Sequence, residues 1–377
     1  MARIYLVRHC ESEGNACRRT QGLVEALVTV RGYEQSEMLR RRFRDVPLDA
    51  VYSSDAFRAL KTAEPIACDH GLTVRVSILL REITTGIWED MAWGNIAQDY
   101  PEQYRRWRET PWDLDTPGAS SFADTGRRLI EGLKRIADDV GEKATALVVS
   151  HSSAIRAAQC LLLGRPIQQI RSLKLGENTS VSLLEIGTDG EVHILFLNDF
   201  SHLPERLHNT WMGRRAEDLN MAIYPVRLSD QGEVLAELEE MDSLQRGVPF
   251  CRETFFREME ALLEKWPKAA AIGFLHGKPC GFVRLGQAEE LPAQIALVSR
   301  IFVLPQLQGA GYGEQLFGHI VHDLRYTRAV TAVAMEKNCS DEERLVSERF
   351  VFHDLNGQPE YRVSELFCSP CPYPVLA

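Results

Sequence analysis

Arg8-His9 closes the apolar run Ile4-Tyr5-Leu6-Val7, and Ser150-His151 closes the run Ala146-Leu147-Val148-Val149. Ser53-Ser54-Asp55 ends a third such run, with Arg58 one turn into the helix expected behind it. In open α/β sheets reactive groups collect at the carboxyl ends of strands. If these strands are neighbours, two histidines and two arginines share one cleft. That set suits a tetrahedral dianion, because guanidinium groups meet phosphate oxygens with paired hydrogen bonds and do not lose their charge. Far along the chain, Gln308-Gly309-Ala310-Gly311-Tyr312-Gly313 follows an apolar segment and precedes a helix expected from Glu314. Successive backbone N–H groups at a helix N-terminus attract phosphate oxygens, and glycines permit the positive dihedrals such a loop needs. The spacing is not the dinucleotide fingerprint, since Glu314 stands where its third glycine falls. Nor is it a P-loop, since no Gly-Lys-Ser/Thr follows.

Both groups need elements to position them. Residues 1–200 alternate short β-like runs (3–8, 50–53, 145–150, 180–185, 192–197) with amphipathic stretches (32–44, 55–70, 122–140, 154–163). That is an α/β order. The continuous apolar character of residues 146–149 fits a strand covered on both faces. Residues 204–221 turn polar around Pro204, Gly213 and Arg214-Arg215 and read as a linker. Beyond it come a strand (224–228), two helices (232–241, 252–265) and a hairpin (270–275, 280–285) turning at His276-Gly277-Lys278. A strand (295–304), the glycine loop, a helix (314–324) and a strand (329–336) complete an α+β order.

At 377 residues two domains are the default. A formal net charge of −10 argues against general nucleic-acid or anionic-membrane binding, though a local arginine cluster can reverse the field in a cleft. No apolar stretch is long enough to span a bilayer, and no signal peptide is expected. Nine cysteines without framework spacing favour reduced thiols and a cytoplasmic location. Cys368 and Cys371 have redox or zinc spacing but no second pair, so that end reads as a loose tail.

Arg8-His9-Cys10-Glu11-Ser12-Glu13-Gly14-Asn15 resembles the opening motif of the histidine phosphatase superfamily, the phosphoglycerate mutase-like proteins. Further matches follow in that family's order. They are Thr29, Gly32 and Gln35; Tyr52 to Asp55 with Arg58 and Thr62-Ala63; Leu80 to Ile83 with Gly86 and Trp88-Glu89; Val148 to His151; and Asn178 with Ser180. The resemblance spans residues 1–200 and implies covalent catalysis. His9 attacks phosphorus and becomes phosphohistidine. Arg8, Arg58 and His151 stabilise the equatorial oxygens, with Asn15 and Ser152 as further phosphate ligands. Glu82 protonates the leaving oxygen and then activates water. That role needs a carboxyl pKa raised by burial beside Trp88. Three positions depart from the pattern: Cys10 and Ser152-Ser153 replace usual glycines, and Ser120 replaces a common glutamate. Cys10 reads as a small buried side chain filling space.

The run from Val303 to Gly313 resembles motif A of the GNAT acyltransferases, a likeness covering about residues 222–367. It implies acetyl-CoA as donor. Backbone around Ile301 and Val303 would pair with the pantetheine arm, beside a splay of strands. Amides of Gln308, Gly309, Ala310, Gly311, Tyr312 and Gly313 would bind the pyrophosphate. Asn338 opens the next motif, but Leu345 occupies the usual tyrosine position, Arg349 the glycine and Phe350 the phenylalanine. Leucine has no proton to give a departing thiolate. Water, Cys339 or Tyr361 are the alternatives.

The expectation is therefore a fusion. Residues 1–203 form an α/β, phosphoglycerate mutase-like domain with a mostly parallel sheet and helices on both faces. Residues 204–221 link it to an α+β GNAT-like domain over 222–377. The two halves would hydrolyse a small-molecule phosphate ester and N-acetylate a small-molecule amine, with no metal, nucleic acid or membrane involved. The rivals are a phosphomutase, or a phosphatase regulated by a catalytically weak acyl-CoA-binding half.

Overall fold

The structure is a computed structural model that describes residues 1–209, 215–327 and 330–376. The first half contributes strands β1 (Ala2–Arg8), β2 (Ala50–Ser53), β3 (Val74–Ser77), β4 (Thr145–Ser150), β5 (Val181–Ile186) and β6 (Val192–Asp199). The second contributes β7 (Ala222–Pro225), β8 (Ala270–Leu275), β9 (Lys278–Gly286), β10 (Ile295–Val303), β11 (Ala332–Glu336), β12 (His353–Leu355), β13 (Gln358–Glu365) and β14 (Val375–Leu376).

The first sheet runs β14-β3-β2-β4-β1-β5-β6. It is parallel from β14 to β1, and β5 and β6 are antiparallel. One apolar cluster joins helices Phe122–Val140 and Ser152–Leu162 to one face. A second joins helices Val30–Phe43 and Phe57–Asp69 to the other. β4 is central and buried on both sides, as its unbroken apolar run requires. Helix Phe122–Val140 has Ser121 as its N-cap, accepting from Asp124 N–H, and buries Leu129, Leu133 and Ile136 on one stripe.

The second sheet runs β12-β13-β11-β10-β9-β8-β7 and is antiparallel except for β10 beside β11. Its core lies under helices Leu228–Arg246, Arg252–Lys265 and Tyr312–Thr327. No helix among the described residues is long and apolar enough to cross a membrane.

Several elements differ from expectation. β3 and helices Trp93–Asp99 and Pro101–Glu109 are additional to the strand and helix runs given above. The 329–336 strand begins at Ala332, and Ala329 lies outside the described residues. Within 204–221, residues 210–214 also lie outside them, while Leu207 is buried and its O accepts from Gln35 Nε2 at 3.0 Å. The tail is not loose. Cys371 and Tyr373 pack on the first half's apolar cluster, and β14 adds a parallel strand to β3. An exposed sheet edge offers unpaired backbone groups, and the tail satisfies them.

The halves are also joined at helix Trp93–Asp99. Asn95 uses both ends of its carboxamide on Ile223, donating to its O at 2.9 Å and accepting from its N at 3.1 Å. Gly94 lies against the Met221 carbonyl so closely that an added Cβ would stand 2.1 Å from its oxygen. Gly94→Ala is expected to destabilise the chain by roughly 1–3 kcal/mol through overpacking. Urea unfolding followed by tryptophan fluorescence checks this; an unchanged midpoint would show that the contact relaxes freely.

Candidate active sites

β1 and β4 are parallel neighbours in the register Arg8↔Ser150, so His9 and His151, each one residue past its strand, stand side by side. Their ring centroids are 5.1 Å apart. β2 flanks β4, and the helix that follows it carries Arg58, whose Nη2 lies 3.3 Å from His151 Nδ1. Arg8, His9, Arg58, Glu82 and His151 are all buried, none more than 8% exposed. Residues from three strand ends thus form one cluster.

His9 Nδ1 lies 2.7 Å from Cys10 O and donates to it, which leaves Nε2 as the ring's lone-pair nitrogen. Burial, with Arg58 and Arg8 beside it, holds the His9 pKa well below the ordinary value. Burial and Arg58 do the same for His151. Both rings are neutral, the state a nucleophile requires.

The two arginines are anchored without being neutralised. Arg8 Nη1 donates to Gly176 O at 2.6 Å, and Arg58 donates to Val24 O and Gly22 O, both at 3.1 Å. Among the described residues neither has a carboxylate within ion-pair distance, though Glu82 acts on both from farther away. Burial, with Arg58 beside it, pulls Arg8 down to about 10 against the opposing pull of Glu82, Glu177 and Glu11. Arg8 Nε, Arg58 Nε and His151 Nε2 are buried without a hydrogen-bond partner. Buried charges are ordinarily paired, so this cluster has the electrostatics of an oxyanion receptor.

Glu82 reaches the site from the segment after β3. Its carboxylate accepts from Ile83 N (2.9 Å), Ser153 N (3.0 Å) and Ala154 N (2.8 Å), capping helix Ser152–Leu162. Burial raises its pKa, and those amides oppose the rise. Trp88 is fully buried, and its ring contacts are Tyr100 and Trp107. Asn15 is half-buried; its Oδ1 accepts from Ser12 N at 3.2 Å and Asn178 Nδ2 at 3.3 Å. Asn178 Nδ2 also donates to His9 O at 2.9 Å. Ser152 shares a small pocket with Arg8. The Cys10 thiol is fully buried and pushed up to about 12, mainly by burial, so it fills space as a thiol.

Sequence reasoning assigned no role to Glu89. Its Oε2 accepts from the amides of Gly22 (3.1 Å), Leu23 (3.1 Å) and Val24 (3.3 Å). It therefore shapes the turn whose carbonyls hold Arg58. Only its place in the Trp88-Glu89 motif hinted at this.

In the second half, β10 pairs with β11 only from Ile295 to Leu297, while its pairing with β9 continues to Val303. Ile301 and Val303 therefore stand where the two strands have parted. Helix Asp341–Arg349 packs there and turns two consecutive glutamates inward, each 3% exposed. Glu343 Oε1 accepts from Ile301 N at 3.0 Å, and its Oε2 from Arg300 Nη1 at 2.9 Å. Glu342 accepts from Gly309 N at 3.2 Å and Gly313 N at 3.1 Å. Gly309 (φ +70°) and Gly311 (φ +89°) supply the positive dihedrals of the loop. Gln308 Nε2 donates to Val303 O at 2.9 Å, and Tyr312 Oη to Asp218 O at 2.6 Å. Ala310 and Leu345 line a cavity facing the first half, and Asn338 is exposed after β11. Three amides that the resemblance assigns to a cofactor are thus held by the chain's own carboxylates. A carboxylate seated between two loop amides shows that these N–H groups bind an oxyanion.

Residues 4–199 match the Histidine phosphatase superfamily (branch 1), and residues 235–342 match the Acetyltransferase (GNAT) family. The chain belongs to the histidine phosphatase superfamily and carries a GNAT-family domain behind it. Phosphoserine phosphatase 1 of Hydrogenobacter thermophilus is 34% identical over 208 residues, 54% of this chain and 96% of the relative. The probable phosphoglycerate mutase GpmB of Yersinia pestis is 32% identical over 187 residues, 49% of this chain and 85% of the relative. The solved structure of Bacillus stearothermophilus YhfR has a TM-score of 0.51 at 29% identity, covering 54% of this chain and 99% of its own.

The two neutral histidines set an acid limb of stability. Their folded pKa values lie below the unfolded value, so the unfolded chain takes up protons first as pH falls. Stability is expected to fall as pH drops below about 6.5, by up to about 1.4 kcal/mol per pH unit for each ring. Denaturant titrations at stepped pH check this. Replacing both by glutamine is expected to reduce the slope of that limb, the remainder coming from His202 and His319, which burial holds at about 4 and about 3.

Proposed function

We propose that the first half hydrolyses a phosphate monoester through a phosphohistidine. His9 Nε2 forms the bond to phosphorus as the ester P–O bond breaks, and Glu82 gives its proton to the departing oxygen. Arg8, Arg58 and His151 stabilise the equatorial oxygens, joined by Asn15 and the Ser152 backbone. Water then attacks phosphorus, Glu82 takes its proton, and phosphate leaves with His9 restored. The observation that carries this reading is the neutral imidazole between two buried guanidiniums that lack carboxylate partners.

The second half is proposed to transfer an acetyl group from acetyl-CoA to a small-molecule amine. The thioester supplies an activated acyl group. Backbone at Ile301 and Val303, the loop Gln308 to Gly313 and Asn338 would hold the donor. Leu345 gives no proton at the tyrosine position, so the thiolate draws on water or another side chain. A fusion of these activities suits a phosphorylated amine, dephosphorylated in one half and acetylated in the other. The relative named a phosphoserine phosphatase supports that class, since phosphoserine carries a free amine. The free cysteines support a reducing, cytoplasmic setting.

A panel of phosphorylated amines, phosphoserine included, tests both halves, with released phosphate and acetylated product measured separately. Wild type is expected to release phosphate, and His9→Ala to do so at least ~10³-fold more slowly. Undiminished release by His9→Ala would sink the phosphohistidine route. Return of the phosphoryl group to another hydroxyl would identify a mutase. Release of phosphate with no acetylated product, together with coenzyme A altering the rate, would identify a regulatory second half.

A further inference from the structure

A cavity of about 410 Å³ lies between the two halves, and residues of both candidate sites line it: Asn15 from the first, Gly309 and Gly311 from the second. Two helices begin at its wall. Val30–Phe43 has 14 residues and opens with Val30 and Arg31, and Tyr312–Thr327 has 16 and follows the glycine loop. Each N-terminus presents the positive end of a helix dipole; Thr29 Oγ1 caps the first by accepting from Gly32 N at 3.0 Å, and Glu342 sits on the Gly309 and Gly313 amides at the second.

Arg31 is the observation that points to a ligand. It lines the cavity, is only 8% exposed and has a buried Nε without a partner. Its Nη2 donates to His208 O, and among the described residues no carboxylate stands within ion-pair distance of it, while Glu11, Glu177 and Glu34 act on it from farther away. A cation in the first turn of a helix opposes the dipole, and burying it unpaired adds a desolvation cost. The carboxylates around the cavity are already engaged. Glu11 is held by Arg349 and Thr29 Oγ1, both at 2.7 Å, Glu34 by Arg206, and Glu348 by Arg344 at 2.9 Å. Glu314 also lines the cavity, and burial raises its pKa while Arg349 opposes the rise. A buried guanidinium and two helix N-termini therefore border one space, and none of the acidic side chains around it pairs directly with Arg31.

We propose that this cavity binds a diphosphate ester, with Arg31 of the phosphatase half supplying the cation for a ligand whose other wall is the glycine loop. Taking coenzyme A as the source of that diphosphate rests on the acyl-donor reading above. A nucleoside diphosphate or free pyrophosphate presents the same oxyanions. The site is composite: neither half alone contains both the loop and the guanidinium. Glu342, seated on two loop amides, competes with such a ligand.

Isothermal titration of the full chain with coenzyme A, ADP and pyrophosphate, each separately, tests this. Coenzyme A is expected to bind wild type. Arg31→Gln should weaken binding roughly ten- to a hundredfold, the worth of a charge-assisted hydrogen bond or two. Arg31→Lys should recover part of the loss, and it carries the test should Arg31→Gln fail to unfold cooperatively. Glu342→Gln should bind more tightly than wild type. Equal coenzyme A affinity in wild type and the Arg31 variants would overturn the composite site and leave the acyl-donor reading standing. Arg31-dependent binding of pyrophosphate and ADP without binding of coenzyme A would support the site and sink that reading. No binding of any of the three would overturn the proposal.

Discussion

Arg8 and Arg58 are taken out of water without being given a carboxylate, and the first half is arranged around that constraint. A guanidinium cannot escape burial by losing its proton at neutral pH. The fold instead surrounds each with carbonyl oxygens, from Gly176, Gly22 and Val24, which orient it and leave the charge unneutralised. Burial, reinforced by the same field, holds the His9 and His151 pKa values well below the ordinary value. Glu82 is an acidic group that acts on both arginines, and its carboxylate accepts from backbone amides. Cations, neutral imidazoles and a shielded carboxyl group are thus consequences of one electrostatic arrangement.

The second half meets the first at the loop bearing the candidate nucleophile. Arg349 pairs with Glu11 at 2.7 Å, and Arg325 pairs with Glu13. His322 Nδ1 lies 2.6 Å from Asp90, which also holds Arg19. Asn95 binds the edge strand β7, and the returning tail adds β14 to the first sheet. These contacts are polar and well buried on the first half's side. Such pairs fix geometry more than they add stability. The motif from Arg8 to Asn15 is therefore braced from outside its own domain.

Within the second half the chain supplies its own anions to the places where a cofactor's oxygens would be sought. Glu342 and Glu343 satisfy amides that would otherwise be orphaned at the helix start and at the parted strands. Buried backbone donors must be paired, and two adjacent carboxylates on one helix do so economically. Arg300 balances Glu343 and is itself held by Asp242.

The strands that carry the first site were legible in the sequence because each is an apolar run closed abruptly by polar residues, a purely local pattern. Residues 50–53 and 145–150 come out as read, and the helix over 122–140 does as well. The glycine loop was legible for the same local reason. β3 was not, being four residues with one exposed arginine, nor was β14, which exists only because an edge strand awaits it. Asp341 to Arg344 is charged throughout and reads as a solvated helix face. Only the folded chain, by bringing the Ile301, Gly309 and Gly313 amides beneath it, turns two of those charges inward. Amino-acid order determined which chemical groups end each strand and where the loop falls. Tertiary structure decided which of those groups face one another and which charges remain unpaired, because burial and partnership depend on segments hundreds of residues apart.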